Sequence, residues 1–264
     1  MNIILIRGGG DLASGVALRL HRCGFQVLIS ELPEPLAVRR AVSFSEAVYE
    51  GQWQVEEVTA VRVESEAQIV AALEEGQIPV LVDPNLAILS MFNIKPLTVI
   101  DARLLKRPPE PLPFPTPLLI GLGPGFVAGK NCQAVIETQR GHTLGRVSWR
   151  GSAQADSGLP EGEPGRVLRV PVDGTLVGYA QIGDHLETGD IIAEVVGQKL
   201  TAPFPGVLRG IIRPGLTVAR GLKIGDLDKR DKREYCFLVS DKALAIGGGV
   251  LEAILAQRTM DSGQ

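Results

Sequence analysis

Residues 7–20, RGGGDLASGVALRL, lie between two apolar runs, IILI at 3–6 and FQVLIS at 25–30. Short continuous apolar runs of this kind are typical of parallel strands buried on both faces of a sheet. From Asp11 onward the apolar residues recur with helical spacing, and Cys23-Gly24 supplies a glycine that can end the helix. Strand, glycine turn, helix and strand in this order predict a βαβ unit with parallel strands.

The alternation of strand and helix patterns continues beyond this unit and predicts an α/β fold. The segment KRPPEPLPFPTP at 106–117 has six prolines among twelve residues, which excludes a helix or an interior strand and predicts an extended connection. The other predicted elements are the strands 58–64, 79–83, 97–102, 118–122, 133–138 and 145–150 and the helix 66–76.

We expect two domains, because 264 residues is a size at which one core commonly becomes two. The loop-like composition of residues 151–165 marks the predicted boundary. The prediction is therefore a Rossmann-like parallel-sheet domain at 1–150, a small β-barrel domain at 166–239 and a helical segment at 240–264.

Residues 170–195 align with residues 202–227 at a fixed offset of 32. Glycines at turn positions with short apolar stretches between them predict short strands joined by tight turns, repeated twice, which can close as a small β-barrel. The matching pairs are Pro171/Pro203, Gly174/Gly206, Leu176/Leu208, Gly183/Gly215, Leu186/Val218, Gly189/Gly221 and Ile192/Ile224.

This repeat resembles the barrel-sandwich hybrid fold of biotinyl and lipoyl carrier domains, which show the same rhythm of glycine and apolar residues. The resemblance implies a modified lysine on the hairpin that links the two halves. Lys199 lies near that place in the sequence, but the flanking residues typical of carriers are missing. We therefore expect Lys199 to be an ordinary hairpin lysine.

The C-terminal stretch 240–258 has helical apolar spacing on both sides of a triple glycine, Gly247 to Gly249. Three consecutive glycines cost a helix about 2 to 3 kcal/mol relative to alanine. The pattern favours two short helices around a glycine turn. The alternative is one helix packed tightly against a neighbouring backbone.

Bulk composition excludes several classes of protein. The 27 basic and 30 acidic residues give a formal charge of -3, so nucleic acid is not an expected partner. The three cysteines show no C-x-x-C spacing, which predicts a reducing, cytoplasmic location without a zinc site. If the chain starts at Met1, the first ten residues fit neither a signal peptide nor an anchor, and no stretch is long enough to span a membrane.

The glycine turn matches G-x-G-x-x-A through Gly8, Gly10 and Ala13, directly between a strand and a helix. This context favours a site for a nucleotide or another anionic cofactor. Glu31 at the end of the second strand is placed to accept hydrogen bonds from a ribose, and an acid there disfavours a 2′-phosphate, which favours NAD over NADP. The alternative is that the glycines only permit a tight turn.

Asp11 complicates this interpretation, because a carboxylate in the first helical turn competes with a phosphate for the positive end of the helix. Asp11 could cap the helix and point away from the turn, or it could contact a metal or a polar substrate group. In the third alternative its carboxylate takes the place of the phosphate, and the loop has the shape of a phosphate site without binding one. These three alternatives stay open.

Other candidates fall at predicted strand ends, where ligands of α/β sheets bind. The second glycine turn contributes Gly121, Gly123 and Gly125, and Asp83 and Asp101 end two further strands. Each aspartate taken alone is more often a turn cap, and it is their convergence at one sheet edge that predicts a site.

Arg140 and His142 are weaker candidates, as an anion-binding cation and a turn histidine. Cys132 follows the second glycine turn and is more often a small buried residue than a nucleophile. The unassigned catalytic candidates are Asp11, Asp101 and His142.

Six motifs, taken in order, resemble the YqeB-type proteins of the selenium-dependent molybdenum hydroxylase system. They are GGGDLASGVALRL (8–20), GFQVLISELPEPLAVRRAVSFSEAVYEG (24–51), IPVLVDP (78–84), IGLGPGFVAG (120–129), VIETQRGHTLGRV (135–147) and SDKALAIGGGVLEAIL (240–255). The matching positions are Gly8, Gly10, Asp11, Ser14, Gly15, Glu31, Asp83, Gly121, Gly123, Gly125, Arg140, Gly141 and His142.

The resemblance implies an accessory protein that helps to mature or insert the cofactor of a molybdenum hydroxylase, its expected partner. We therefore expect a nucleotide or a molybdopterin dinucleotide at the carboxyl edge of the sheet. Two alternatives stay open. One is an NAD-linked oxidoreductase with His142 or Asp101 as proton donor. The other is a non-enzymatic scaffold that docks the hydroxylase.

Overall fold

The computed structural model describes residues 3–155 and 163–262, so the predicted boundary loop 151–165 lies partly outside the described residues. The chain divides into two compact units, and each of them is built from separate stretches of sequence. Unit 1 combines Met1–Pro35, Phe44–Ser157 and Val239–Gln264, and unit 2 combines Leu36–Ser43 and Gly158–Leu238.

Unit 1 contains one nine-stranded sheet and a separate two-stranded sheet. The strands of unit 1 are β1 (Ile3–Arg7), β2 (Gln26–Glu31), β3 (Gln52–Val55), β4 (Val58–Val63), β5 (Ile78–Val82), β6 (Thr98–Asp101), β7 (Leu118–Leu122), β8 (Val127–Ala128), β9 (Ala134–Ile136), β10 (Val147–Ser148) and β11 (Gly151–Ser152). The large sheet has the order β10-β9-β7-β6-β1-β2-β5-β4-β3, and β8 pairs with β11.

Seven neighbouring strands of the large sheet, from β9 to β4, are parallel, and the two edge strands β10 and β3 pair antiparallel. The apolar runs of β1 and β2 are buried along their length, as expected for a parallel sheet covered on both faces. The prediction of an α/β fold with a large parallel sheet is confirmed.

Strand β1 occupies the position where the order of the sheet reverses. It pairs with β2 on one side and with β6 on the other, and the chain fills the β2 side before it returns to β6. In open α/β sheets, ligands bind beside such a switch point, outside the carboxyl ends of the strands. The first glycine turn directly follows β1.

The described residues of unit 1 form the α-helices α1 (Asp11–Arg22), α2 (Ala47–Glu50), α3 (Glu66–Glu74) and α4 (Asp241–Ser262). Helix α3 begins after Ser65, whose hydroxyl accepts a hydrogen bond from the Gln68 amide. Among the described helices, none has both the length and the apolar composition needed to cross a membrane. Short 3-10 helices lie at Arg40–Val42, Phe44–Glu46, Leu89–Met91, Pro164–Arg166 and Arg233–Cys236.

The glycines of α4 allow its backbone to approach neighbouring backbone closely. A Cβ on Gly247 would lie 3.0 Å from the Gly15 carbonyl oxygen of α1, and a Cβ on Gly15 would lie 2.5 Å from the Cβ of Ala243. The predicted pair of short helices is therefore wrong, because α4 is continuous and uses its small residues for close packing. The helix packs within unit 1, whereas the sequence pattern gives a separate segment at 240–264.

The sequence predicts only the second strand of the hairpin that β3 and β4 form, because the predicted strand begins at residue 58. Its turn uses Glu56, which has a left-handed φ of 52°, and Glu57. Two glutamates give none of the glycine or asparagine signals of a tight turn. The predicted strand 145–150 is also different, because only its central residues form β10.

Unit 2 consists of two four-stranded antiparallel sheets around one apolar core. Its strands are β12 (Val167–Arg169), β13 (Gly174–Gly178), β14 (His185–Leu186), β15 (Ile191–Val195), β16 (Gln198–Thr201), β17 (Gly206–Ile211), β18 (Thr217–Val218) and β19 (Lys223–Asp228). The sheet orders are β12-β19-β17-β14 and β16-β15-β13-β18.

The sequence repeat is also a structural repeat. Strands β13, β14 and β15 begin at residues 174, 185 and 191, and their counterparts β17, β18 and β19 begin 32 residues later. The halves interlock, because the short strand of each half pairs with the first strand of the other half: β14 with β17 and β18 with β13.

Candidate functional site

The carboxyl ends of β1 and β6 bring the first glycine turn next to Asp101. Gly8 has a left-handed φ of +92°, and a Cβ there would lie 3.7 Å from the Ala102 carbonyl and from Cγ of Arg103. The turn and Asp101 therefore lie at the same carboxyl edge, beside the switch point of the sheet. The sequence predicts their convergence at this edge.

Glu31 binds the glycine turn itself. Its Oε2 accepts a hydrogen bond from the Gly9 amide at 2.5 Å, and its Oε1 accepts one from the Leu32 amide at 2.7 Å. The side chain is buried, and this burial raises the pKa of Glu31, although the two amide hydrogen bonds oppose the shift. The residue predicted to meet a ribose thus already fixes the conformation of the turn.

Ser14 also holds the turn in place from inside the fold. Its hydroxyl donates to the Gly9 carbonyl at 3.1 Å and accepts from the Phe44 amide at 2.8 Å. The Ser45 amide donates to the same Gly9 carbonyl at 2.9 Å. Ser14 is fully buried, so its visible role is to connect the turn to residues 44–45.

Gly10 is the part of the turn that leaves space. It is the N-cap residue of α1 with φ -67°, and no atom outside its chain neighbours lies within 4 Å of an added Cβ. Asp11 follows in the first helical turn and is half-buried. Amide groups at a helix N-terminus attract anions, and the space next to Gly10 at this end of α1 is open.

Asp101 lies between two arginines. Nε and Nη2 of Arg103 approach its two carboxylate oxygens at 2.9 and 2.7 Å, and Nη1 of Arg7 lies 3.4 Å from Oδ2. The carboxylate is buried, and charge-assisted hydrogen bonds hold it as an acceptor. This arrangement suits a fixed counter-charge better than the proton donor needed by an NAD-linked oxidoreductase.

Arg7 is a site residue that the sequence interpretation misses. It is 5% exposed, and Nη2 donates to the Pro84 carbonyl at 3.1 Å, while Nε is buried without a hydrogen-bond partner among the described residues. Burial lowers the pKa of its guanidinium. One feature of the sequence could have pointed to Arg7: a charged residue ends the otherwise apolar strand sequence IILIR.

Asp83 has the capping role that is the more frequent one for an aspartate at a strand end. Its Oδ1 accepts from the Ala87 amide at 2.9 Å and its Oδ2 from the Leu89 amide at 2.8 Å. Both carboxylate oxygens thus organise the turn that leads into the 3-10 helix Leu89–Met91.

The second glycine turn is filled by its own chain. The ring of Phe126 occupies the space next to Gly121, and a Cβ on Gly125 would collide with the carbonyl oxygens of Leu105 and Arg107. Gly123 needs glycine for its left-handed φ of +88°. These glycines therefore have a packing explanation, in contrast to Gly10.

Arg140 and His142 lie in the connection between β9 and β10. Arg140 pairs with Asp241 at the start of α4, with both N–O distances at 2.7 Å, and His142 is exposed. Arg140 thus already holds an anionic group, which is a carboxylate of the same chain.

Cys132 is buried, and burial raises the pKa of its thiol to about 11. A thiol with this pKa stays protonated at neutral pH, which does not suit a nucleophile.

Lys199 lies exposed on β16. Within 3–155 and 163–262, no group of three or more His, Cys, Asp or Glu side chains is arranged to hold a metal ion.

Comparison with known proteins identifies a relative by sequence. A scan against models of protein families finds no match. The uncharacterized protein YqeB of Escherichia coli strain K12 is 45% identical over 257 residues, which is 96% of this chain. This similarity supports the resemblance to YqeB-type proteins. The chain spans 47% of the length of that YqeB protein.

Similarity to solved structures is weak. An aspartoacylase family protein from Mesorhizobium loti aligns with 10% identity over 86% of this chain and 84% of that chain, with a TM-score of 0.25. The ectoine utilization protein EutE from Ruegeria pomeroyi, in its apo form, aligns with 10% identity over 85% of each chain, also with a TM-score of 0.25. Scores this low carry no argument about fold or function.

Proposed function

We propose that this chain is an accessory protein that binds a nucleotide, or a cofactor bearing a nucleotide, at the switch point of the sheet in unit 1. The observation that carries the proposal is the open volume at Gly10. This glycine has an ordinary φ and no neighbour within 4 Å of its Cβ position, so the fold itself does not require a glycine there. A ligand that approaches the backbone does require one.

The surrounding residues fit a nucleotide in a further respect. Glu31 uses one hydrogen bond on each carboxylate oxygen, which leaves acceptor capacity toward a ribose hydroxyl. When bound, the phosphates would lie at the N-terminus of α1, where the helix dipole stabilises negative charge.

The biological setting is proposed from the sequence resemblance to the selenium-dependent molybdenum hydroxylase system. In that setting the ligand would be molybdopterin dinucleotide or its nucleotide part, and the partner would be the hydroxylase. A barrel-sandwich hybrid fold for unit 2 and a cytoplasmic location belong to the same proposal. The interlocked repeat of unit 2 supports the first, and the cysteine pattern supports the second.

Thermal unfolding with added ligands tests this proposal. We expect one of NAD, NADP, CTP, CDP, ATP or molybdopterin dinucleotide, with or without Mg²⁺, to raise the Tm. A ligand at 100 times its Kd adds about 2.7 kcal/mol, or several degrees of Tm. Gly10→Leu fills the open volume and should remove the shift, whereas Gly248→Leu, also a glycine with free space around its Cβ position, should keep it.

Two results would contradict nucleotide binding. One is a Tm shift that Gly10→Leu leaves unchanged, which would place the ligand elsewhere. The other is no shift with any nucleotide while the hydroxylase still co-purifies with the chain, which would indicate a docking scaffold.

A further inference from the structure

Unit 1 contains a cavity of about 750 Å³ that extends from the Arg7–Asp101 pair along the proline-rich connection to the β8–β9 turn. This volume lies within the usual range of small-molecule sites. The cavity is separate from the open volume at Gly10, because no residue of the glycine turn lines it.

A buried cation contributes to the lining of this cavity. Arg7 lines the cavity and is 5% exposed, and its Nε has no hydrogen-bond partner within the described part of the chain. Buried polar groups nearly always have partners, so an unpaired guanidinium N–H beside a cavity indicates a missing acceptor.

The charges around the cavity favour an anion. Two acids line it, Asp101 and Glu110, and Arg103 pairs with both of them. Lys130 also lines the cavity, and no ion pair of its ammonium group is found among residues 3–155 and 163–262. Arg7 also pairs with Asp101, so the cations Arg7, Arg103 and Lys130 outnumber the two acids by one positive charge.

The remaining walls are apolar and partly aromatic. Leu112, Phe114 and Trp149 line the cavity and are each half-buried. A ligand that uses both parts of the lining needs a carboxylate for the cations and a flat apolar body for the aromatic side chains.

We propose that this cavity is a second binding site in unit 1, which takes a small aromatic carboxylate. The carboxylate pairs with Arg7 and Lys130, and the ring packs between Phe114 and Trp149. The site goes beyond the proposed nucleotide function and does not depend on it.

Intrinsic fluorescence tests the site directly, because the chain has two tryptophans and only Trp149 lines the cavity. In a Trp53→Phe background we would titrate benzoate and nicotinate, each against its neutral amide. We expect at least one carboxylate to change the Trp149 emission with saturation, and its amide to bind about tenfold or more weakly.

The variants separate charge recognition from folding. Arg7→Met and Lys130→Met should each weaken the carboxylate about tenfold, whereas Lys95→Met, an exposed lysine outside the cavity, should not. Lys130 is exposed, so its variant tests the site even where Arg7→Met impairs folding.

Three results would overturn the proposal: no saturable change with any carboxylate, equal affinity for acid and amide, or unchanged affinity in Lys130→Met. Gly10→Leu should leave carboxylate binding intact, so failure at this site and failure at the nucleotide site are distinguishable.

Discussion

The carbonyl oxygen of Gly145 lies where a Cβ atom on Gly249 would have to be placed. Gly248, the next residue back in α4, has nothing within 4 Å of its own Cβ position. The two neighbouring glycines therefore have opposite requirements within one helix.

Alanine substitution should separate these two glycines. Gly249→Ala should lower the free energy of unfolding by about 1 to 3 kcal/mol or more, because backbone has to move away from the new methyl group. Gly248→Ala should raise it by about 0.5 to 1 kcal/mol, because alanine favours a helix interior. Urea unfolding measures both, and equal effects would contradict the close packing of α4.

Glu31→Gln should destabilise unit 1. A glutamine has one carbonyl oxygen for two backbone amides, so its NH₂ group faces either Gly9 or Leu32 and leaves that amide unpaired. The expected loss in free energy of unfolding is about 1 to 3 kcal/mol at pH 7. Unchanged stability would mean that Glu31 does not hold the glycine turn.

The raised pKa of Glu31 predicts that the free energy of unfolding depends on pH. Burial raises the pKa of Glu31 above its usual 4.5, so the folded chain keeps this proton to a higher pH than the unfolded chain. Its contribution to the free energy of unfolding therefore decreases as pH rises from about 4.5 through the raised pKa. The stability gap between the wild type and Glu31→Gln should narrow over this range, and parallel curves from pH 4 to 8 would contradict it.

Cys132 should react slowly with alkylating reagents. With a pKa of about 11, only about one thiol in a thousand is ionised at pH 8, and the side chain is also buried. Cys23 is exposed and serves as the internal control. Mass spectrometry of peptides after brief iodoacetamide treatment should show Cys23 modified first, and equal rates would indicate an accessible Cys132.

The sequence is most informative where local patterns and tertiary structure agree. The apolar runs 3–6 and 25–30 and the helical spacing after Asp11 give the β1–α1–β2 unit within a residue or two, because parallel strands and an amphipathic helix each carry a clear period. The repeat of unit 2 is visible because its tight turns need glycine at fixed spacing.

Long-range contacts are invisible to such patterns. Nothing local shows that Glu31 hydrogen-bonds the Gly9 amide, or that Arg103 holds Asp101, because these depend on which strands become neighbours. The triple glycine of α4 is read as a helix break for the same reason, since the backbone that it approaches lies near Gly15 and Gly145. From its place at a strand end, Asp83 is a candidate ligand residue, but in the structure its carboxylate caps a turn.

Helices α1 and α4 are neighbours in unit 1, although residues 11–22 are synthesised long before residues 241–262. At usual rates of translation, on the order of ten to fifty seconds separates the two helices on the ribosome. During this interval the surface around Gly15 stays without its partner helix, and such transiently exposed surface is what chaperones bind. Folding in the cell should therefore depend on chaperones more strongly for unit 1 than for unit 2, whose interlocked strands lie within one short stretch of sequence.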